Sequence, residues 1–278
     1  VATYLDGIVA HHRARLAADD RSIGDVAAAL AGAPAARPFL DALSGGRATS
    51  GSAGLAVIAE VKRRSPSKGD LAPGLDPAAL ARAYAAGGAA CLSVLTEGPH
   101  FGGSPADLAA ARDATSLPVL RKDFTVGEID LYDARAMGAD AVLLIVAALD
   151  DDELTRFVSL AERLGLAALV EVHDEDELDR ALGAGARLVG VNQRDLRTFE
   201  VDTDLAALLR ARIPDEIVSV AESGITDAAD VRRLAAAGFD AILVGEALVT
   251  AADPTAALLE LRGLDEVSGD VEVSGTVA

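Results

Sequence analysis

The chain has 278 residues, 51% of them apolar, and a formal net charge of −19; that length suits one large core, since single α/β barrels of ~250 residues are common. Acidity this strong opposes nucleic acid and anionic membrane surfaces as partners, because long-range repulsion acts against both. The single cysteine, Cys91, excludes an internal disulfide, no leader-like series opens the chain, and no apolar stretch is long enough to span a bilayer, so a reducing cytoplasm is expected.

From the N-terminus, Thr3 to Asp19 and Ser22 to Leu43 read as extra helices that cap one end of the main body. Ser44 to Gly54, rich in Gly and Ser, reads as a flexible lead, so residues 1–54 form an extension. Eight strand-length apolar runs then follow: Ala56 to Val61, Ala90 to Leu95, Pro118 to Arg121, Ala139 to Val146, Ala167 to Val172, Arg187 to Val191, Ile217 to Ala221 and Asp240 to Val244. They are nearly continuous in Val, Leu, Ile and Ala, which is how parallel strands buried on both faces read. Helical spacing separates them, and glycines at 87, 138, 165, 185 and 238 stand where a helix must stop. Residues 55–262 are therefore expected to close into a (β/α)8 TIM barrel. An open dinucleotide-binding sheet is unsupported, because no Gly-x-Gly-x-x-Gly follows the first run. Residues 263–278 lack a sustained period and read as a loose acidic tail.

Barrel enzymes react at the C-terminal ends of their strands, so the polar residues that interrupt or follow these runs are the candidates. Strand one gives Glu60 and Lys62, two apart and hence on one face. Strand three ends in Arg121-Lys122-Asp123-Phe124, strand five carries Glu171, and strand six runs into Asn192, Arg194 and Asp195. Strand seven ends in Glu222-Ser223-Gly224 and strand eight in Gly245-Glu246. Any one of these charges taken alone reads as a solvated loop residue or a salt bridge. Their convergence on one mouth implies a polar site with perturbed ionisation. Cys91 reads as a packing residue, and His11, His12, His100 and His173 lack metal-ligand spacing, so no metal is expected.

Lysine is the sharper signal. The chain holds Lys62, Lys68 and Lys122 against twenty-two arginines, and all three fall in or beside strand ends. Arginine keeps its proton near neutral pH, whereas a desolvated lysine, or one crowded by another cation, has a lowered pKa and serves as a general acid.

With those residues in place, Ile58-Ala-Glu-Val-Lys-Arg-Arg-Ser-Pro-Ser-Lys68 resembles the first-strand signature of the indole-3-glycerol phosphate synthase family. It is followed in order by Leu92-Ser-Val-Leu-Thr-Glu97, Leu120-Arg-Lys-Asp-Phe124, Leu169-Val-Glu-Val-His173, Gly190-Val-Asn-Gln-Arg-Asp-Leu196 and Ala221-Glu-Ser-Gly224. The resemblance spans roughly residues 3 to 262. It implies cyclisation of 1-(2-carboxyphenylamino)-1-deoxyribulose 5-phosphate with loss of carbon dioxide and water, without cofactor or metal. By position, Lys122 would protonate the ketone oxygen and Glu171 would be the base in dehydration. Lys62 would hold the anthranilate carboxylate, with the division of proton transfer between the two lysines left open. Glu60 and Asn192 would orient the intermediate, Phe101 and Phe124 would line the aromatic pocket, Arg194 would support the charge network, and Glu222 with Ser223 would form the opposite wall. The phosphate would rest on backbone N–H groups at Gly224 and Gly245, with Ser65 and Ser67 as secondary donors.

Two positions depart from the family pattern. Gln193 stands where many members have asparagine, and Glu246 where others place a small residue, with Arg63 and Arg64 as a partial compensation for its charge. Two other readings stay open. A phosphoribosylanthranilate isomerase shares the fold and anion site but would use a cysteine and an aspartate, and a catalytically silent barrel would have lost its strand-end charges. The expected partner is a small phosphorylated substrate, and a monomer is the default.

Overall fold

The structure is a computed structural model, and it describes residues 4–44, 54–195 and 199–264. The lead-in at 45–53 and nearly all of the expected tail lie outside the described residues. Eight parallel strands close into a barrel in sequential order: β1 (Ala56–Val61), β2 (Cys91–Leu95), β3 (Val119–Lys122), β4 (Ala141–Ile145), β5 (Ala167–Val172), β6 (Leu188–Asn192), β7 (Val218–Glu222) and β8 (Ala241–Val244). β1 closes the ring by pairing with β8 through Ala56↔Ala241 and with β2 through Glu60↔Ser93. The chain is thus a (β/α)8 TIM barrel with helices ahead of it.

Alternation along each strand sorts residues between two cores. Ile58, Cys91, Leu120, Leu143, Leu169, Leu188, Val220 and Leu243 point inward and fill the barrel. Val57, Ala59, Val61, Val94, Val119, Val142, Val170 and Val189 point outward against the helices. β3 includes Lys122, one residue beyond the expected run, and that residue shares the inward face of Leu120.

The surrounding helices are α4 (Pro77–Ala86), α5 (Pro105–Ala114), α6 (Glu128–Ala136), α7 (Asp151–Arg163), α8 (Glu175–Gly183), α9 (Thr203–Arg210), α10 (Ala228–Ala236), the single turn α11 (Glu246–Val249) and α12 (Pro254–Leu261). Asp76, Asp150, Asp174, Asp202, Asp227 and Asp253 each accept first-turn N–H groups at the start of α4, α7, α8, α9, α10 and α12. Part of the chain's acidity is therefore spent where orphan donors and the helix dipole favour a carboxylate. The first helix stop falls one residue later than the sequence suggests. Gly87 is still right-handed at the C-cap and packed closely on Leu258, and Gly88 takes the left-handed conformation at φ 82°.

The N-terminal helices were expected at one end of the barrel, but they reach both. α1 (Tyr4–Ala17) puts Tyr4, Leu5 and Ile8 over the C-terminal mouth. α2 (Ile23–Ala29) packs on α6. α3 (Phe39–Ser44) plugs the opposite end with buried Phe39 and Leu43. The chain entering α3 is tied down by Asp140, which accepts the Arg37 N–H at 2.7 Å, the Val119 N–H at 2.8 Å and the Arg112 guanidinium at 2.6 Å. Among the described residues no helix is long and apolar enough to cross a membrane.

Candidate active site

Above the apolar layers of the barrel interior lies a charged one. Glu60, Lys122, Glu171, Asn192 and Glu222 come from β1, β3, β5, β6 and β7, each on the inward register of its strand. Lys122 Nζ donates to Glu171 Oε2 at 3.0 Å and to Glu222 Oε2 at 2.8 Å. Lys62 Nζ donates to Glu60 Oε1 at 2.5 Å, and the other Glu60 oxygen accepts the Ser93 hydroxyl at 3.4 Å. Two glycines leave room for this layer. A Cβ at Gly190 would collide with Glu222 Oε1, and one at Gly245 would lie 2.5 Å from Glu60 Oε1 and 3.0 Å from Lys62 Nζ.

Ionisation follows from burial and partners. Burial alone would lower the Lys122 pKa, but the carboxylates of Glu171, Glu222 and Glu60 outweigh it and hold the ammonium above its ordinary value. This corrects the expectation of a depressed lysine: the neighbours are anions, not a second cation. For Glu171, burial pushes upward, but Lys122 and His173 prevail and keep it ionised well below the usual carboxylate range. Glu222 moves the other way. Burial raises it, Lys122 offsets only part of that and the Glu171 charge adds to it, so it is pushed up to about 7. Two acids on one ammonium are thereby driven apart, with one carboxylate charged and one holding its proton near neutrality. Glu222 Oε1 has no hydrogen-bond partner among the described residues.

The layer forms the floor of a cavity of ≈ 610 Å³, which has an aromatic side and a polar rim. Phe101 and Phe124 stand with ring centroids 6.3 Å apart, and His12 of α1 packs on Phe124 at 5.3 Å. Glu97 accepts the backbone N–H groups of His100 and Phe101 at 2.7 and 3.0 Å, which fixes the loop carrying Phe101. At the rim, Ser223 and Gly224 are consecutive left-handed residues at φ 66° and 67°. β1 runs into a two-residue-per-arm hairpin, Arg64–Ser65 with Gly69–Asp70, which carries Ser65, Ser67 and Lys68 to the opposite rim. The Ser65 hydroxyl is buried without a partner among the described residues. Thus Glu60, Lys62, Ser65, Phe101, Lys122, Phe124, Glu171, Asn192, Arg194, Glu222, Ser223, Gly224, Gly245 and Glu246 all line one cavity. Among the described residues, no group of three or more His, Cys, Asp or Glu side chains is arranged to hold a metal ion.

The family model for indole-3-glycerol phosphate synthase matches residues 5–261. The chain belongs to the indole-3-glycerol phosphate synthase family. Relatives of that name are 52% identical in Rhodococcus jostii, over 93% of this chain and 94% of that one, and 54% identical in a Nocardioides species, over 94% and 98%. The Micrococcus luteus relative is 55% identical over 84% and 86%. A thiamine phosphate pyrophosphorylase from Pyrococcus furiosus superposes with a TM-score of 0.58 at 21% identity, covering 77% of this chain and 98% of that one, which speaks to the fold alone. The indole-3-glycerol phosphate synthases are decarboxylating, ring-closing lyases of tryptophan biosynthesis, and this chain is such an enzyme.

Both departures from the family pattern have a local structural answer. Gln193 Nε2 donates to the Ser223 carbonyl at 2.7 Å, bracing the left-handed turn from behind. The Glu246 carboxylate lies 3.5 Å from Lys68, so its charge is met by the third lysine. Arg63 and Arg64 do not compensate as expected: Arg63 is held by Asp107 at 2.5 Å and Arg64 by Asp70 at 3.1 Å, and neither lines the cavity. Arg194 does line it, though its guanidinium donates to the Phe199 carbonyl at 2.9 Å. The sequence reading weighed His173 only as a metal ligand, and it gave no role to Ser93 or to the α1 residues at the mouth. Ser93 and His173 had a signal, since each sits two residues from an inward-facing neighbour.

Proposed function

We propose that the charged layer closes the indole ring of 1-(2-carboxyphenylamino)-1-deoxyribulose 5-phosphate, with Lys122 as acid and Glu171 as base. The observation that carries this is the single ammonium held between Glu171 and Glu222, one acid ionised and one near neutrality. As the ring carbon bearing the carboxylate attacks the ketone, the ketone oxygen gathers charge and takes a proton from Lys122. A nascent alkoxide is more basic than an amine, so a raised lysine pKa keeps the donor loaded without blocking transfer. Carbon dioxide then leaves and restores the aromatic ring. Glu171 removes a proton from the methylene carbon as the hydroxyl departs as water, with Lys62 or Lys122 supplying the second proton.

In this reading Lys62 holds the substrate carboxylate until decarboxylation, Glu60 and Asn192 orient the hydroxyls, and Phe101 with Phe124 flank the anthranilate ring. Ser223 and Glu222 form the far wall, and Arg194 stiffens the loop after β6. The phosphate rests against the N–H groups of Gly224, Gly245 and Glu246 with Ser65 opposite. Three lysines converging on one cavity answer how a chain of charge −19 binds an anion. The reading includes a monomer in a reducing cytoplasm, the latter in keeping with a lone, buried cysteine. The test is to supply the carboxyphenylamino substrate and follow indole fluorescence. No fluorescence gain from the folded protein would overturn it.

A further inference from the structure

The reaction leaves a proton deficit. The substrate carries a carboxylate that departs as neutral carbon dioxide, and the ketone oxygen departs as water. Of the two hydrogens in that water, the methylene carbon supplies one. The other comes from solvent, so every turnover draws one proton into a site whose Glu171 and Lys122 are 3% and 15% exposed at the side chain. While substrate and intermediates occupy the cavity, they stand between Lys122 and the water at its mouth.

We infer that His173 and Glu177 form the proton supply line to the Glu171–Lys122 pair, entering from outside the cavity. The inference rests on Glu171 and Lys122 acting as base and acid. His173 follows Glu171 by two residues and points the same way; its buried Nε2 makes no hydrogen bond among the described residues and lies 3.4 Å from Glu171 Oε1, the oxygen not used by Lys122. Behind it, Glu177 in the first turn of α8 takes both the His173 backbone N–H at 2.8 Å and Nδ1 at 3.0 Å. These two contacts fix the ring and assign Nδ1 as the nitrogen that faces the outer carboxylate, leaving Nε2 for Glu171. Side-chain exposure rises outward along the series, from 3% at Glu171 to 13% at His173 and 15% at Glu177. Neither His173 nor Glu177 lines the cavity, so this route reaches solvent without crossing bound substrate.

The charged groups facing Glu171 are Lys122 from β3, Glu222 from β7 and His173 from the residue just after β5. Burial would lower the His173 pKa, but Glu171 and Glu177 prevail and push it up to about 10, so the imidazolium is the loaded form at neutral pH. A proton passes from Nε2 to Glu171 and on to Lys122, 3.0 Å away, after Lys122 has given up its own. Nδ1 is then recharged by way of Glu177.

The test compares first-turnover and steady-state rates in His173→Asn and in Glu177→Gln, with folding checked by thermal melts. The proton is drawn in while substrate blocks the mouth, so His173→Asn should already slow the loss of water in the first turnover. Its steady-state rate should fall at least ~10-fold, below the range for losing a direct general acid. Added imidazole buffer should restore that rate, and Glu177→Gln should show the same pattern more weakly. A steady-state rate equal to wild type would overturn the inference. So would a loss of rate indifferent to imidazole, because His173 would then only orient Glu171. Failure of Glu171 as the base is separable, since Glu171→Gln would then turn over normally whatever His173 does.

Discussion

Gly190 on β6 leaves the space that the Glu222 carboxylate from β7 occupies: a Cβ there would collide with Oε1 and lie 3.1 Å from Leu169 Cδ1. Gly190 is not among the glycines with positive φ, so its smallness, not backbone freedom, is what the site uses. Gly190→Ala should therefore displace Glu222 from Lys122 while leaving the strand paired. Overpacking costs ~1–3 kcal/mol, and misplacing a reacting group by about 1 Å costs ~100-fold in rate. The expected outcome is a folded protein with a lowered melting temperature and turnover reduced at least ~10-fold. Unchanged turnover in the folded variant would show that Glu222 is free to move without consequence.

The raised pKa of Glu222 makes a prediction about stability. Unfolding returns this carboxyl from about 7 to its ordinary value near 4.5. Between those values the folded state binds the extra proton, so this group's contribution to stability falls as pH rises through the window. Glu222→Gln cannot ionise and its amide oxygen still accepts from Lys122. Relative to wild type, the variant should gain stability from pH 5 to pH 7 and then level off, by on the order of 2 kcal/mol in total. Denaturant midpoints at pH 5, 6, 7 and 8 measure it. A difference that does not change with pH would mean that Glu222 is ionised throughout.

Much of this arrangement is legible one strand at a time. The period of two puts Glu60 with Lys62, and the unbroken apolar runs give the parallel barrel. What is not legible depends on partners far apart in the chain. Lys122 meets Glu222 across 100 residues, and the sum of three carboxylates from three strands reverses the direction in which burial alone would move its pKa. Arg63 and Arg64 read as free loop cations because nothing in their neighbourhood announces Asp107, 44 residues on from Arg63, as a partner. The placement of α1 and α3 at opposite ends of the barrel is likewise a matter of packing. Both helices carry more apolar residues than they bury, and their sequences do not say that Leu5 and Ile8 on one, Phe39 and Leu43 on the other, are the ones that cover opposite ends.

Inorganic phosphate should compete with substrate. The left-handed turn at Ser223-Gly224, Gly245 and the buried Ser65 hydroxyl surround one end of the cavity, and Lys68 offsets Glu246 there. Millimolar phosphate is expected to raise KM without changing kcat, and Ser65→Ala should weaken that competition. If millimolar phosphate neither inhibits nor binds by calorimetry, the substrate phosphate lies elsewhere.

Glu171→Gln should bind substrate and stall late. The amide keeps the volume of the carboxylate and can still accept from Lys122, but it has no basic oxygen for the methylene proton. Single-turnover analysis should then find carbon dioxide released ahead of indole, with the overall rate lower by ~100-fold or more. Normal turnover in this variant would remove Glu171 from the chemistry.

Lys122→Arg keeps the charge and tests whether the proton and the size of the ammonium matter. Guanidinium stays protonated at any working pH, so it can stabilise a forming oxyanion but hardly transfer a proton to it. Space argues the same way. Nζ sits 2.8 Å from Glu222 and 3.0 Å from Glu171, on the floor of the cavity, and a planar fork reaching both carboxylates would stand taller into the space of the ketone. Both acids would keep a cationic partner, so the barrel should fold and the Glu222 pKa should stay raised by burial. Turnover should nevertheless fall at least ~100-fold, the lower end for losing a positioned general acid. KM should change less than kcat, because the substrate anion still meets a positive charge. The variant's kcat should also lose any fall at alkaline pH that the wild type shows from deprotonation of the lysine, since guanidinium keeps its proton there. Near-normal indole formation by the arginine variant would make Lys122 an electrostatic anchor only, and the acid would have to be sought at Lys62.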